Sequence, residues 1–197
     1  MSLAGTGNRD INPDEEESLM RRIADGDGDA YRLVMGTYMT DIYRFAYSIV
    51  GDAARAEDVT QETALRLWTK AARWNPPGRI KSWLFTIAHR LCVDELRRHR
   101  KQLVPLDDIA GFTSDAGETP HQALAGKQSS AIIKNALLRL PERQRTALML
   151  VHYSDFSNGE AASIMKVSVD ALESLLSRGR RELKFTLAGS RKNLLDG

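Results

Sequence analysis

The chain has one cysteine in 197 residues, so no disulfide framework supports it, and a reducing compartment suits it. No apolar run approaches the length of a membrane span. The first residues, MSLAGTGNRDINPDEEESL, have neither the basic region nor the apolar core of a secretory signal. A soluble cytoplasmic protein without membrane insertion is expected. Strong charge of either sign is also missing: 28 Lys and Arg against 26 Asp and Glu leave a net charge of +2, which argues against indiscriminate coating of nucleic acid. No phosphate-binding glycine loop, HExxH helix or serine nucleophile elbow occurs, so neither a catalytic residue nor a cofactor is expected. Two metal-like patterns fail as well. Asp25, Asp27 and Asp29 imitate the start of a calcium loop, but Ala30 stands where glycine is needed and Gly36 where the bidentate glutamate is needed. His89 and Cys92 are one helical turn apart, yet His99 is two turns further on. No zinc site is expected, and Cys92 reads as a small core residue.

What the chain does have is helical periodicity nearly throughout, with no convincing alternating strand pattern, which predicts an all-α fold. A first helix is expected over about 14 to 24. Asp29 can cap a second, which runs through Tyr31, Leu33, Tyr38, Ile42, Phe45 and Ile49 to a stop at Gly51. A third covers about 53 to 72, broken by Asn75-Pro76-Pro77-Gly78, and a fourth covers about 80 to 101. Trp68 and Trp83 fall on apolar helical faces and read as core. Residues 102–126 change character, with Pro105, Asp107, Asp108, Gly111, Gly117 and Pro120, and predict a flexible linker. The resulting division is a disordered tail over 1–13, a four-helix domain over 14–101, the linker, a helix-turn-helix (winged-helix-like) domain over 127–188, and a tail over 189–197.

The helix-turn-helix reading rests on local causes. Pro141 suits the first turn of a helix, and the chain then turns at Ser154-Asp155. Ser157 and Glu160 make a capping box for a short helix over about 158 to 165. Ser168 caps a longer helix with apolar Leu172, Leu175, Leu176 and Leu183, and with Ser174, Ser177, Arg178, Arg181 and Lys184 on its polar side. A short helix, a three-residue turn and a second helix with polar side chains near its start can lay that second helix in a major groove. The small Ala161-Ala162 pair suits a close helix crossing.

Two further surfaces carry chemistry. Arg90, Arg97 and Lys101 recur at spacings of seven and four on the fourth helix, with Arg98 and Arg100 beside them, a stripe that can track phosphates or can be an ordinary solvated face paired to Asp94 and Glu95. The preceding loop adds Arg73, Trp74, Asn75 and Arg79. Unpaired bases stack on aromatic or guanidinium planes, although Trp74 is equally readable as a packed core residue. On the third helix, Asp58, Gln61 and Glu62 share one acceptor-rich edge beside an apolar face.

Four blocks in order, GDGDAYRLVMGTYMTDIYRFAYSIVGD, AEDVTQETALRLW, KSWLFTIAHRLCVDELRRHRK, and LPERQR with SNGEAASIMKVSVDALESLLSRGRREL, resemble the extracytoplasmic-function sigma factors, the minimal two-domain bacterial sigma factors. The resemblance covers roughly residues 16 to 188 and implies that Asp58, Gln61 and Glu62 dock on core RNA polymerase. It implies that Trp74, Asn75, Arg90, Arg97, Arg98 and Lys101 open and hold the minus-ten promoter element, and that Glu173, Ser174, Ser177 and Arg178 read the minus-thirty-five element. An anti-sigma factor is the further partner implied, with the chain otherwise monomeric and serving a stress response. Ser174 and Arg178 match common DNA-contacting positions. Arg90 stands where the family usually has asparagine and Lys166 where its turn usually has glycine, while Glu173 and Leu175 replace residues often basic, so the usual promoter preference does not carry over. A stand-alone helix-turn-helix regulator is the alternative. Two basic elements in separate domains favour the sigma factor, since a dimeric repressor needs only one reading head per subunit.

Overall fold

The structure, a computed structural model, describes residues 11–75, 78–102, 133 and 135–195. Most of the expected N-terminal tail and of the 102–126 linker lies outside these residues. Helices α1 (Pro13–Ala24), α2 (Gly28–Val50), α3 (Ala53–Lys70) and α4 (Ile80–Gln102) form an N-terminal lobe, with a 3-10 turn at Ala71–Arg73 extending α3. After helical residues at 135–139, α5 (Glu142–Leu148) continues into a π-helical turn at Met149–Tyr153, followed by α6 (Asn158–Met165) and α7 (Val169–Leu195). No strand occurs among the described residues, and among them no helix is long and apolar enough to cross a membrane. The fold is all-α. Helix α7 runs on through much of the segment expected as a tail from 189.

Local chemistry sets most of the helix ends. Gly51 takes a left-handed conformation (φ 75°) and donates its N–H to the Tyr47 carbonyl, closing α2 at the expected residue. Asp52 then accepts the Arg55 N–H at 2.9 Å to start α3. The cap of α2 is Asp27, not the expected Asp29: its carboxylate accepts from the Asp29 and Ala30 N–H groups at 2.8 and 3.1 Å. The cause is Gly26 (φ 88°), which reverses the chain within two residues of α1 and leaves Asp27 at the cap, so that Asp29 enters the first turn. The Ser157–Glu160 capping box forms, and α6 has the expected span of 158 to 165. Lys166 ends it in a left-handed conformation (φ 53°), where the family's glycine would stand. Ser168 Oγ accepts the Ala171 N–H at 3.2 Å as the cap of α7. Pro141 falls one residue before α5, at its N-cap.

Tyr38, Ile42, Phe45 and Ile49 of α2 pack with Leu67 of α3 and Leu84, Phe85 and Ala88 of α4, all essentially inaccessible to water. Each large apolar side chain so buried contributes about 1.5–3 kcal/mol against conformational entropy. Cys92 belongs to this core, and burial pushes its thiol up to about 12. Trp68 does not: it is 41% exposed and sits edge-on to Tyr31, with ring centroids 5.2 Å apart. The core slots of α3 go to Ala64, Leu67 and Ala71, and Trp68, one residue past Leu67, is rotated about 100° away from them. Trp83 is partly buried.

The two lobes share one hydrophobic core. Phe156, between the π turn and α6, meets Phe85 edge-on at 4.9 Å, and Phe85 in turn meets Phe45 at 5.3 Å. Arg145 of α5 is buried beside them. Its guanidinium donates to the carbonyls of Ile49 (2.7 Å), Leu138 (2.8 Å) and Leu140 (3.4 Å). Ile49 lies in the last turn of α2, where carbonyls lack intrahelical partners and carry the negative end of the helix dipole, so they meet the buried cation, and the charge of Glu142 favours it further.

Candidate nucleic-acid interface

Three surfaces bear the candidate residues. On the first, Asp58 and Gln61 are exposed and Glu62 is half-buried, along a groove of about 590 Å³ between α3 and α4. Glu62 accepts from Arg66 at 2.8 Å, and Leu65, 54% exposed, supplies an apolar wall that the sequence reading did not include. A groove with acidic edges and an apolar wall suits an amphipathic basic helix. Arg98 also lines this groove, with Glu95 3.5 Å away. Arg98 thus lies beside the stripe of Arg90, Arg97 and Lys101 and faces α3 as well.

The second surface is α4 with the loop before it. Arg90, Arg97, Arg100 and Lys101 are exposed, as is Asp94 within the same stripe. Trp74 packs partly against the core, with its indole N–H buried and without an acceptor among the described residues, while Asn75 is exposed. Trp74 also lines a cleft of about 370 Å³ with Asn75, Ser82 and Trp83 on one side and Glu160, Ser163 and Ile164 of α6 on the other. Arg79 is engaged by Glu16 of α1 at 2.9 Å. That pairing spans 63 residues and is not legible from either segment alone.

His89 lies where the lobes meet. Its ring is 4.0 Å from Glu142 and bonds the Ile164 carbonyl, yet burial, helped by the charges of Arg90 and Arg143, holds it below the ordinary imidazole range. Desolvation outweighs the hydrogen bond to Ile164, so the neutral ring is the form that fits.

The third surface is the start of α7. Glu173, Ser174, Ser177 and Arg178 are all exposed, opposite the buried Leu172 and Leu176. Gly179 is buried, and a Cβ there would meet Leu148 Cδ1 at 3.0 Å and the Gln144 carbonyl at 3.4 Å, so its missing side chain lets α7 cross close to α5. Glu173 accepts from the Asn158 amide at 3.3 Å, which ties it to the first helix of the motif.

Residues 34–102 match the family described as Sigma-70 region 2, and residues 130–183 match Sigma-70, region 4. The chain is 32% identical over 148 residues to the ECF RNA polymerase sigma factor SigM of Bacillus subtilis (strain 168), covering 75% of this chain and 88% of that one. It is 34% identical over 145 residues to the ECF RNA polymerase sigma factor EcfG of Rhodopseudomonas palustris (strain TIE-1), covering 73% and 77% respectively. Among solved structures, it is similar to the sigma factor RpoE in complex with the anti-sigma factor NepR from Bartonella quintana, with a TM-score of 0.63, 25% identity and coverage of 80% and 96%. The fold also matches CnrH in complex with the cytosolic domain of CnrY, with a TM-score of 0.68, 21% identity and coverage of 88% and 97%. With both sigma regions in order on one all-α chain, and relatives above 30% identity across three quarters of it, this protein belongs to the extracytoplasmic-function (ECF) RNA polymerase sigma factors.

Proposed function

We propose that the chain is a promoter-specificity subunit of the cytoplasm: it binds core RNA polymerase, directs it to a class of promoters and helps open them, while polymerase performs the chemistry. The observation that carries this reading is the coexistence, on separate faces, of an acidic groove and two DNA-suited surfaces. A self-sufficient regulator would need only the third. In this reading Asp58, Gln61 and Glu62 meet basic groups of the polymerase, while Arg90, Arg97, Arg98 and Lys101 follow phosphates. Trp74 and Asn75 engage the opened strand. The exposed side of α7 enters the upstream major groove, where Arg178 donates to phosphate or guanine, and Glu173, an acceptor only, favours cytosine at a base edge.

The relatives solved with anti-sigma factors support an anti-sigma partner for this chain too, holding it inactive until a stress signal. The test is transcription by reconstituted holoenzyme. Asp58→Lys with Glu62→Lys should keep the helical circular-dichroism signal and lose core binding together with run-off transcript. Retention of wild-type affinity for core would sink the docking assignment, and sequence-specific DNA binding by the free chain with no polymerase association would favour a stand-alone regulator.

A further inference from the structure

Among the described acidic side chains of α1, one carboxylate is not on the surface. Glu16 is 2% exposed, whereas Glu15 and Glu17 beside it face solvent. Its two oxygens have separate tasks. Oε1 accepts from Arg79 Nε at 2.9 Å, and Oε2 accepts the backbone N–H of Ile80 at 3.0 Å, across 64 residues of sequence. Ile80 opens α4, and the first N–H groups of a helix have no intrahelical acceptor. A Ser, Asp or Asn just before the helix normally supplies one, but the residue there is Arg79, which carries only donors. The cap comes from another helix instead, and its charge also meets the positive end of the α4 dipole.

This remote cap fixes one end of a short segment. The other end leaves the 3-10 turn Ala71–Arg73, against which α1 itself packs. Arg79 reaches further along the same helix entrance, its guanidinium 3.4 Å from the Ile11 carbonyl. Between the two anchors stand Trp74, with its unpaired indole N–H, and the exposed Asn75. A buried carboxylate adds little stability over a local Ser cap, but unlike a local cap it dictates where α4 begins relative to α1.

The geometry points to Glu16 as a positioning residue for the Trp74–Arg79 loop, and through it for capture of the opened promoter strand. This rests on the reading of that loop given under Proposed function. Glu16 touches no DNA; it sets the place from which Trp74 and Asn75 do. Arg79 is thereby assigned to the protein's interior frame and not to phosphate.

The experiment uses reconstituted holoenzyme carrying Glu16→Gln, Arg79→Met or Trp74→Ala. Each is assayed for core binding and for permanganate reactivity of thymines on a duplex promoter and on the same promoter with its minus-ten region pre-opened by mismatches. Glu16→Gln keeps an acceptor for Ile80 but loses the charge-assisted pair, so duplex opening should fall about tenfold. Core affinity should stay unchanged, and the pre-opened template should recover most of the loss. Arg79→Met leaves Glu16 on Ile80 and should show the same pattern more weakly, which carries the test if the Gln variant folds poorly. Equal losses on both templates, or a parallel loss of core binding, would make Glu16 merely structural and overturn the proposal. If Trp74→Ala abolishes opening while Glu16→Gln and Arg79→Met do not, the positioning role is wrong and the reading of the loop stands. If none of the three affects opening, the reading of the loop falls and the proposal with it.

Discussion

The two DNA-suited surfaces are built in opposite ways. The exposed side of α7 lies on one helix: Glu173, Ser174, Ser177 and Arg178 point outward because Leu172 and Leu176 point inward, and all four are open to solvent. The loop surface is assembled from α1, α4 and the turn between α3 and α4. Its Trp74 faces a cleft whose far wall is α6 of the other lobe. A surface made by the 3.6-residue period needs only its own helix to be correct. One made by a loop needs remote anchors, and in this closed arrangement of lobes it also lies beside a neighbour that can limit its access.

The comparison breaks most sharply at Arg145. Arg145→Ala would strip three carbonyls of their donor at the junction of the lobes, and should lower stability by about 3 kcal/mol in urea unfolding. Small-angle scattering should show a larger radius of gyration as α5 loses its hold on Ile49. An unchanged radius would mean that the apolar contacts around Phe85 and Phe156 suffice.

Gly179→Val acts on the other surface without changing any exposed residue. The added methyls meet Leu148 and the Gln144 carbonyl, and overpacking should cost about 2 kcal/mol in urea unfolding. The shifted α7 should lose upstream-element binding in footprinting, while core binding is retained.

A smaller effect belongs to pH. His89 is held neutral between α4 and the C-terminal lobe, its value depressed from the ordinary 6.5. The stabilisation is therefore fully present above about pH 6.5 and is lost as pH falls through the depressed value, when the ring must charge in a buried site beside Arg90 and Arg143, opposed by its bond to the Ile164 carbonyl. Thermal melts between pH 8 and pH 5 should drop at the acidic end, and His89→Gln should flatten that drop. The smallest change sharpens the contrast from the local side. Lys166→Gly relieves a left-handed lysine in the turn and should raise stability by about 0.5 kcal/mol, read as a shift in the urea midpoint.

The capping box at Ser157, the stop at Gly51 and the bounds of α6 were legible because each is decided within about four residues, by side chains that complete backbone hydrogen bonds. The outward set on α7 was legible for the same reason. Trp68 was misassigned because periodicity marks an apolar stripe but not which of two adjacent large residues the neighbouring helix covers. That Arg98 also faces the groove of α3 was not legible, because spacing along α4 says nothing of the neighbouring helix.

The chain alone thus determined an all-helical protein, the ends of most of its helices and the four exposed positions near the start of α7, since these follow from short-range backbone chemistry and a fixed helical period. Only the tertiary structure decided that Glu16 caps α4 from 64 residues away, that Arg145 binds the end of α2, that Glu173 is tied to Asn158 and that α6 walls the Trp74 cleft. These are contacts between elements distant in sequence, and they depend on which helix faces pack together, a choice made by the summed burial of the whole core.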